Sequence, residues 1–303
     1  MIDRDRNAEV DVWYIGGWKR SGTTLLCEML GAFENVLAVG ELSGIWIALE
    51  RDRACSCGAT ARSCPLWQGV SALLFEQYPD LDFTEMAEMG KRVLRTRRTI
   101  ELLKGASRKN RPVDPEILRF ADTMQYLYVC IAQVSGASVL VDSSKLPPLA
   151  VLTHGMPRVH LELFHIVRDA RAVANSERRS LTKTGDEPFW LPPGNRLIAS
   201  VLYWAASNLA VWLTGRVLGT YHRVWYEDLS SDPISVVSEL SRSTGVPRGS
   251  AMMASGHIVT GNPARMGGAD RDIRRDDRWK RELSLPDRWL VLLIAWPVLL
   301  LLR

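Results

Sequence analysis

Short apolar runs that stop at glycine or polar residues alternate along the chain with longer stretches that predict helices. Val10 to Ile15 (VDVWYI) is compact, apolar and aromatic-rich and ends at a glycine pair, which predicts a buried strand. Thr23 to Leu30 predicts the helix after it, and Val36 to Val39 a second strand closed by the turn Gly40-Glu41. A third strand is expected at Ala137 to Val141, running into Asp142-Ser143-Ser144-Lys145. Pro147 and Pro148 suit the first turn of a new helix. Val159 to Val167 predicts another strand, with a helix beginning at Arg168-Asp169. Arg196 to Leu213 predicts a long apolar helix carrying Trp204 and Trp212. Thr220 to Trp225 predicts a last strand and Pro233 to Ser243 a helix after it. Residues 50–125 predict an irregular or helical insert. It contains a basic helix, KRVLRTRRT from Lys91 to Thr99, read as a solvated face because no aromatics interleave its charges.

Strands alternating with helices predict an α/β domain whose mainly parallel sheet is covered by helices on both faces. Ligands on such sheets sit at the carboxyl ends of strands. Three loops start there: Gly16 to Thr24, Asp142 to Lys145 and Arg168 to Ser176. The expected organisation is a single domain over 1–303, with the insert at about 50–125 and an apolar C-terminal helix at about 286–303.

Composition narrows the class only modestly. The 303 residues are 47% hydrophobic and 24% charged, with a net charge of +4. That is ordinary for a soluble enzyme, fits an anionic ligand and offers no nucleic-acid arm. The first residues, MIDRDRNAEVDV, lack an apolar core, so a cytoplasmic location is expected. Trp289 to Leu302 is almost wholly apolar but shorter than the roughly 20 residues of a spanning helix. It reads as a buried C-terminal helix, with a peripheral membrane contact as the alternative. Cys55, Cys57 and Cys64 cluster as C-x-C-x6-C without a nearby fourth ligand. Packed thiols in a small loop are the first reading; a metal site or a disulfide stays open.

The candidate chemistry begins at "GGWKRSGTTLL", Gly16 to Leu26. Gly17 and Gly22 have the G-x4-G spacing of a phosphate-wrapping loop. Strand, loop and helix follow in order, and the loop offers backbone N–H groups, the Ser21, Thr23 and Thr24 hydroxyls and a helix N-terminus. Lys19 and Arg20 add cations. An NTP loop would carry Lys where Thr23 stands, to reach β- and γ-phosphates. A second stretch, "FHIVRDARAVANSERR", sets Arg168 at a strand end and Ser176 two helical turns on, able to grip a second phosphate together.

"GGWKRSGTTLL" with "IVRDARAVANS" resembles the paired signatures of the sulfotransferase superfamily, and "VDSSK", "WYEDLSSDP", "GNPARM…DDRW" and the cysteine cluster resemble its bacterial members. The likeness covers roughly residues 10 to 285, with a loop similar to that of tyrosylprotein sulfotransferases. It implies the P-loop-like sulfotransferase fold and 3′-phosphoadenosine 5′-phosphosulfate (PAPS) as co-substrate, with no metal required. By that likeness Arg20 contacts the 5′-phosphosulfate, with Lys19 beside it, and Ser21, Gly22, Thr23 and Thr24 cradle it. Arg168 and Ser176 hold the 3′-phosphate. Lys145 is a second cation near the transferred group, Tyr226 lies near the adenine, and Asn262 and Arg265 close over the nucleotide.

The cytosolic family's histidine base is absent, because Pro147 stands at its position. Tyrosylprotein sulfotransferases use a glutamate in a Gly-Glu segment, which here is Gly40-Glu41, one residue out of register. Glu41 is the only carboxylate at that turn and is the expected base, with Arg20 and Lys145 as its catalytic partners. The implied acceptor is a small molecule, lipid, glycan or peptide, beneath a lid at 177–200 that includes Phe189 and Trp190. A P-loop kinase is the rival enzyme, because the strand ending at Asp142 imitates a Walker B strand. A nucleotide-binding or membrane-associated interaction protein is the non-enzymatic alternative.

Overall fold

The structure is a computed structural model, and it describes residues 9–106, 114–184, 196–247, 249, 256–261 and 273–302. Five strands, β1 (Val10–Gly16), β2 (Val36–Gly40), β3 (Val139–Lys145), β4 (Val159–Val167) and β5 (His222–Trp225), form one parallel sheet in the order β2-β3-β1-β4-β5. Their near-continuous apolar sequences follow from burial on both faces. Val10, Val12 and Tyr14 of β1 join one core, while Trp13 and Ile15 join the core on the opposite face. That is the period of two expected of a strand.

The first core is roofed by helices α2 (Ile45–Glu50), α3 (Pro65–Gln77), α4 (Phe83–Val93), α6 (Pro115–Ser135) and α7 (Pro147–His154). The other core lies under α1 (Thr23–Leu30), α10 (Tyr226–Ser231) and α11 (Pro233–Thr244). A third apolar cluster joins α8 (Ala170–Thr184), α9 (Arg196–Leu218) and α13 (Leu285–Leu301) beside the end of β4, and the short α12 (Trp279–Glu282) sets Trp279 against Ala172 of α8. Local chemistry sets several helix ends. Asp114 caps α6 through the Glu116 N–H at 3.0 Å, Pro115 opens the helix, and Gly136 closes it at φ 71°. Asp232, Pro233 and Gly245 repeat the pattern at α11.

Several expectations change in detail. The described part of the insert is mainly helical apart from a turn-rich knuckle at 51–64, and α6 carries it on to Ser135. The basic stretch from Lys91 to Thr99 is not one helix. Extended backbone at Arg95 ends α4, a single 3-10 turn covers Thr96–Arg98, and α5 (Thr99–Ala106) begins afresh. The break lets Val93 and Leu94 turn into the core, while the charges pair with Glu88, Glu116 and Asp114. β3 continues through Asp142 to Lys145, and α9 continues to Leu218.

The C-terminal helix is the largest correction, because it is not buried all round. Val291, Ala295 and Val298 pack inward among Val173, Val201 and Trp204. Leu285, Trp289, Leu293, Trp296 and Leu300 are exposed, Leu293 by 74%. An apolar sequence with no polar face gives no sign of which side has a partner.

The carboxyl ends of the three central strands are level with one another. Gly16 of β1 is paired with Lys145 of β3 on one side and His165 of β4 on the other. The three loops singled out in the sequence therefore leave the sheet along one rim.

Candidate functional site

The loop after β1 is built by its glycines. Gly17 adopts φ 142° and Gly22 φ 92°. A side chain at Gly17 would meet the Ile166 carbonyl at 2.5 Å, and one at Gly22 the Tyr226 ring at 2.5 Å. Only glycine satisfies both the dihedrals and the space. Arg20 also takes a positive φ, 65°. The backbone therefore doubles back so that Gly22 sits at the N-cap of α1 in a left-handed conformation. Among the described residues no side chain caps that helix end, and no acidic residue lies in its first turn.

The first amides of α1 thus lack the side-chain acceptor that usually satisfies them. Beside them the Ser21 hydroxyl is fully buried and has no hydrogen-bond partner among the described residues. Thr23 is buried and Thr24 half-buried on the first turn. An unmatched helix N-terminus beside an unmatched hydroxyl is an anion-binding arrangement.

Arg168, just beyond β4, ties this loop to the second stretch. Its guanidinium is buried, with Nη1 donating to the Arg20 carbonyl at 2.8 Å and Nη2 to the Asp276 carbonyl at 3.1 Å. The Asp276 carboxylate lies 3.4 Å away. Its hydrogen bond from Arg278, aided by the charge of Arg168, holds that carboxyl well below the usual carboxylate range. Arg168 Nε is buried without a partner among the described residues. Arg20 Nε in turn donates to Ser176 Oγ at 3.0 Å. Arg20, Arg168 and Ser176 are therefore one constellation.

Lys19 reaches α8 as well, 3.6 Å from Glu177, which also accepts from the Trp18 indole N–H at 2.9 Å and from the Ser200 hydroxyl. Burial pushes the Glu177 carboxyl up and the Lys19 ammonium down. Lys19 thus braces the loop against α8. Tyr226 stacks on the Arg168 guanidinium at 4.2 Å and fills the space over Gly22. Tyr226 thus walls the loop beside Arg168. Asn262, Arg265, Phe189 and Trp190 lie outside the described residues.

On the other side of β1, Lys145 ends β3 with φ 68°, a turn that brings its side chain back over the rim. Its Nζ is 2.5 Å from Glu41 Oε1 and donates to the Ser143 carbonyl at 3.1 Å. Glu41 follows the last residue of β2. Its backbone is clasped by Thr260: the Glu41 N–H donates to Thr260 Oγ1 at 3.1 Å, and that hydroxyl donates to the Glu41 carbonyl at 2.8 Å.

Asp142 braces the pair from beneath. Its Oδ1 accepts from the Ser144 hydroxyl and N–H at 2.5 and 2.8 Å and from the Leu42 N–H at 3.3 Å. Its Oδ2 accepts from the Tyr128 hydroxyl at 2.7 Å. Complete burial outweighs these bonds and pushes the Asp142 carboxyl up to about 6. Both oxygens are occupied by protein donors, which removes the Walker B role that the kinase alternative needs.

Asp276, Glu177, Thr260 and the bracing role of Asp142 were not singled out from the sequence. Asp276 lies in the quoted "DDRW" stretch, which was the available signal. Thr260 carried none, because its partner is 219 residues away.

Residues 14–249 match the family described as "Sulfotransferase family". Among solved structures the chain is similar to the sulfotransferase domain from the curacin biosynthetic pathway. Identity is 17%, covering 94% of this chain and 97% of that one, with a TM-score of 0.53. It is also similar to the sulfotransferase domain of the Synechococcus PCC 7002 olefin synthase, at 21% identity, 95% and 94% coverage and a TM-score of 0.52. No curated protein matches. With most of its length matched, and with the anion loop and its arginine clamp on one sheet rim, the chain belongs to the sulfotransferase family.

Proposed function

We propose that the protein transfers a sulfuryl group from PAPS to an acceptor hydroxyl by in-line displacement. The observation that carries this reading is the junction of the two motifs. Arg168 bonds the Arg20 carbonyl, and Arg20 bonds Ser176, so a 5′-anion loop and a second anion site form one rigid unit. Ser21 Oγ and Arg168 Nε, unpartnered among the described residues, are the polar atoms such a nucleotide would satisfy. PAPS supplies the activated sulfuryl group.

Ser21, Thr23, Thr24 and the first amides of α1 hold its 5′ end, and Arg168 and Ser176 its 3′-phosphate. Glu41 accepts the acceptor's hydroxyl proton as that oxygen bonds to sulfur. Arg20 and Lys145 stabilise the negative charge left on the departing phosphate oxygen when the S–O bond breaks. The Lys145–Glu41 pair holds the base and the cation side by side before substrates enter. We place the reaction in the cytoplasm, where the five free cysteines stay reduced.

The test pairs binding with turnover. Adenosine 3′,5′-bisphosphate should raise the melting temperature more than ATP with Mg²⁺, and labelled PAPS with an acceptor library should give products heavier by one sulfuryl group. Preference for ATP, or turnover unchanged in both Arg20→Ala and Lys145→Ala, overturns the reading.

A further inference from the structure

Cys55, Cys57, Cys64 and His257 place one ligand atom each within 4.8 Å of one another. From these four side chains we infer a structural zinc site, distinct from the anion site. The sequence showed three cysteines and no nearby fourth ligand. The fold supplies the fourth from 193 residues beyond Cys64, with His257 Nδ1 at 3.1 Å from the Cys64 sulfur. Four ligands around Zn²⁺ with Zn–S bonds of about 2.3 Å lie about 3.8 Å apart. The observed spread needs only a small contraction. Three thiols and one imidazole form a donor set that favours tetrahedral zinc.

Both sides of the site are held in place by other bonds. The cysteine segment makes a tight knuckle closed by an antiparallel bridge between Ala54 and Thr60. The Cys55 N–H donates to the Ala59 carbonyl at 2.8 Å, and Gly58, at φ 93°, turns the chain and donates to the Cys55 carbonyl at 3.0 Å. Cys64 occupies the N-cap position of α3, so the start of that helix fixes where its sulfur lies.

Opposite, the His257 carbonyl accepts the Trp67 indole N–H at 2.8 Å. Its neighbour Ile258 exchanges two hydrogen bonds with Ser56, each of 2.9 Å. The Ser56 hydroxyl also donates to the Gly256 carbonyl at 2.6 Å. Cys55 and Cys64 are buried, His257 is half-buried and Cys57 is exposed, which leaves a route for the ion. Simple thiol packing accounts for neither the exposed Cys57 nor the imidazole against Cys64. With all four positions filled by protein, the ion has no open site for chemistry, and its role is to pin two distant segments together. Binding releases the thiol protons to solvent.

The experiment uses the full-length protein, purified under reducing conditions without chelator. Elemental analysis should find about one zinc per chain. Co²⁺ added to the reduced, zinc-stripped protein should give tetrahedral visible bands and sulfur-to-metal charge transfer. Cys57→Ser and His257→Ala should each lower the zinc content and shift the cobalt spectrum. Cys57 is exposed, so its variant should fold, which circular dichroism checks. Three results each overturn the site. They are zinc below about a tenth per chain together with no tetrahedral cobalt spectrum, unchanged zinc content in both variants, and a disulfide among the three cysteines in the reduced preparation. None of these readouts depends on sulfuryl transfer.

Discussion

Lys145 Nζ lies 2.5 Å from Glu41 Oε1, joining the ends of β3 and β2 beside the anion loop. The pair predicts a split between binding and rate. Glu41→Gln removes the proposed proton acceptor but none of the proposed phosphate contacts. Turnover should fall by about 10²–10⁴-fold, while adenosine 3′,5′-bisphosphate affinity changes little. Calorimetry with single-turnover kinetics checks this, and equal losses in both would assign Glu41 to nucleotide binding.

Thr260 acts on the same residue at one remove, as a positioning residue. Thr260→Val deletes both hydrogen bonds to the Glu41 backbone. The expected effect is a kcat lowered about tenfold, on the order of 1.4 kcal/mol, with KM for the donor unchanged. Thr260→Ser should restore the rate, because it retains the hydroxyl.

Arg168 predicts a change in discrimination. Arg168→Lys keeps a charge but cannot reach the Arg20 and Asp276 carbonyls together. The wild type should bind adenosine 3′,5′-bisphosphate more tightly than AMP, and the variant should lose most of that preference. A retained preference would show that the 3′-phosphate is held elsewhere.

Gly22→Ala should lower stability by about 1–3 kcal/mol. Its methyl group would meet the Tyr226 ring at 2.5 Å, at a φ of 92°. Urea unfolding measures the loss. In a Tyr226→Ala background, Gly22→Ala should cost less than it does in the wild type but not nothing, since the clash is gone and the dihedral strain remains.

Asp142 gives a pH signature. Burial raises its carboxyl from 3.8 to about 6, so the folded protein keeps a proton that the unfolded chain has released. Its contribution to stability is complete below about pH 4 and is lost as pH rises through about 6, a swing on the order of 3 kcal/mol. His165 works the other way. Burial depresses it to about 4, and its contribution is lost as pH falls. The difference between wild type and Asp142→Asn cancels that term. Wild type should lose ground to the variant as pH is raised from about 4.5 to 7. A pH-independent gap in urea midpoints would contradict this.

The central strands and the first helix were legible because their side chains obey a short local period. β4 spans Val159–Val167 and α1 spans Thr23–Leu30, as the local pattern required, and α7 starts at Pro147 as its proline pair required. The anion loop was legible because glycine spacing is itself local. β3 was read short because Asp142, Ser143 and Ser144 look like a turn, yet all three are buried. Partners from Tyr128 and Leu42 make a polar strand end stable there. His257 was hidden for the same reason as Thr260, since no local pattern marks a residue whose partners arrive through the fold. The exposed face of α13 had the opposite problem, because Leu293 in the sequence is indistinguishable from its buried neighbour Val291.

The Thr260 clasp on Glu41 also has a temporal meaning. The two residues are 219 positions apart. At about 5–20 residues per second, a ribosome needs roughly 10–45 s to pass from one to the other. A nascent chain therefore carries its glycine loop well before the carboxylate expected to receive the acceptor's proton can be anchored. Fragments of this protein that stop short of residue 260 would keep that loop yet lack the clasp that fixes the Glu41 backbone.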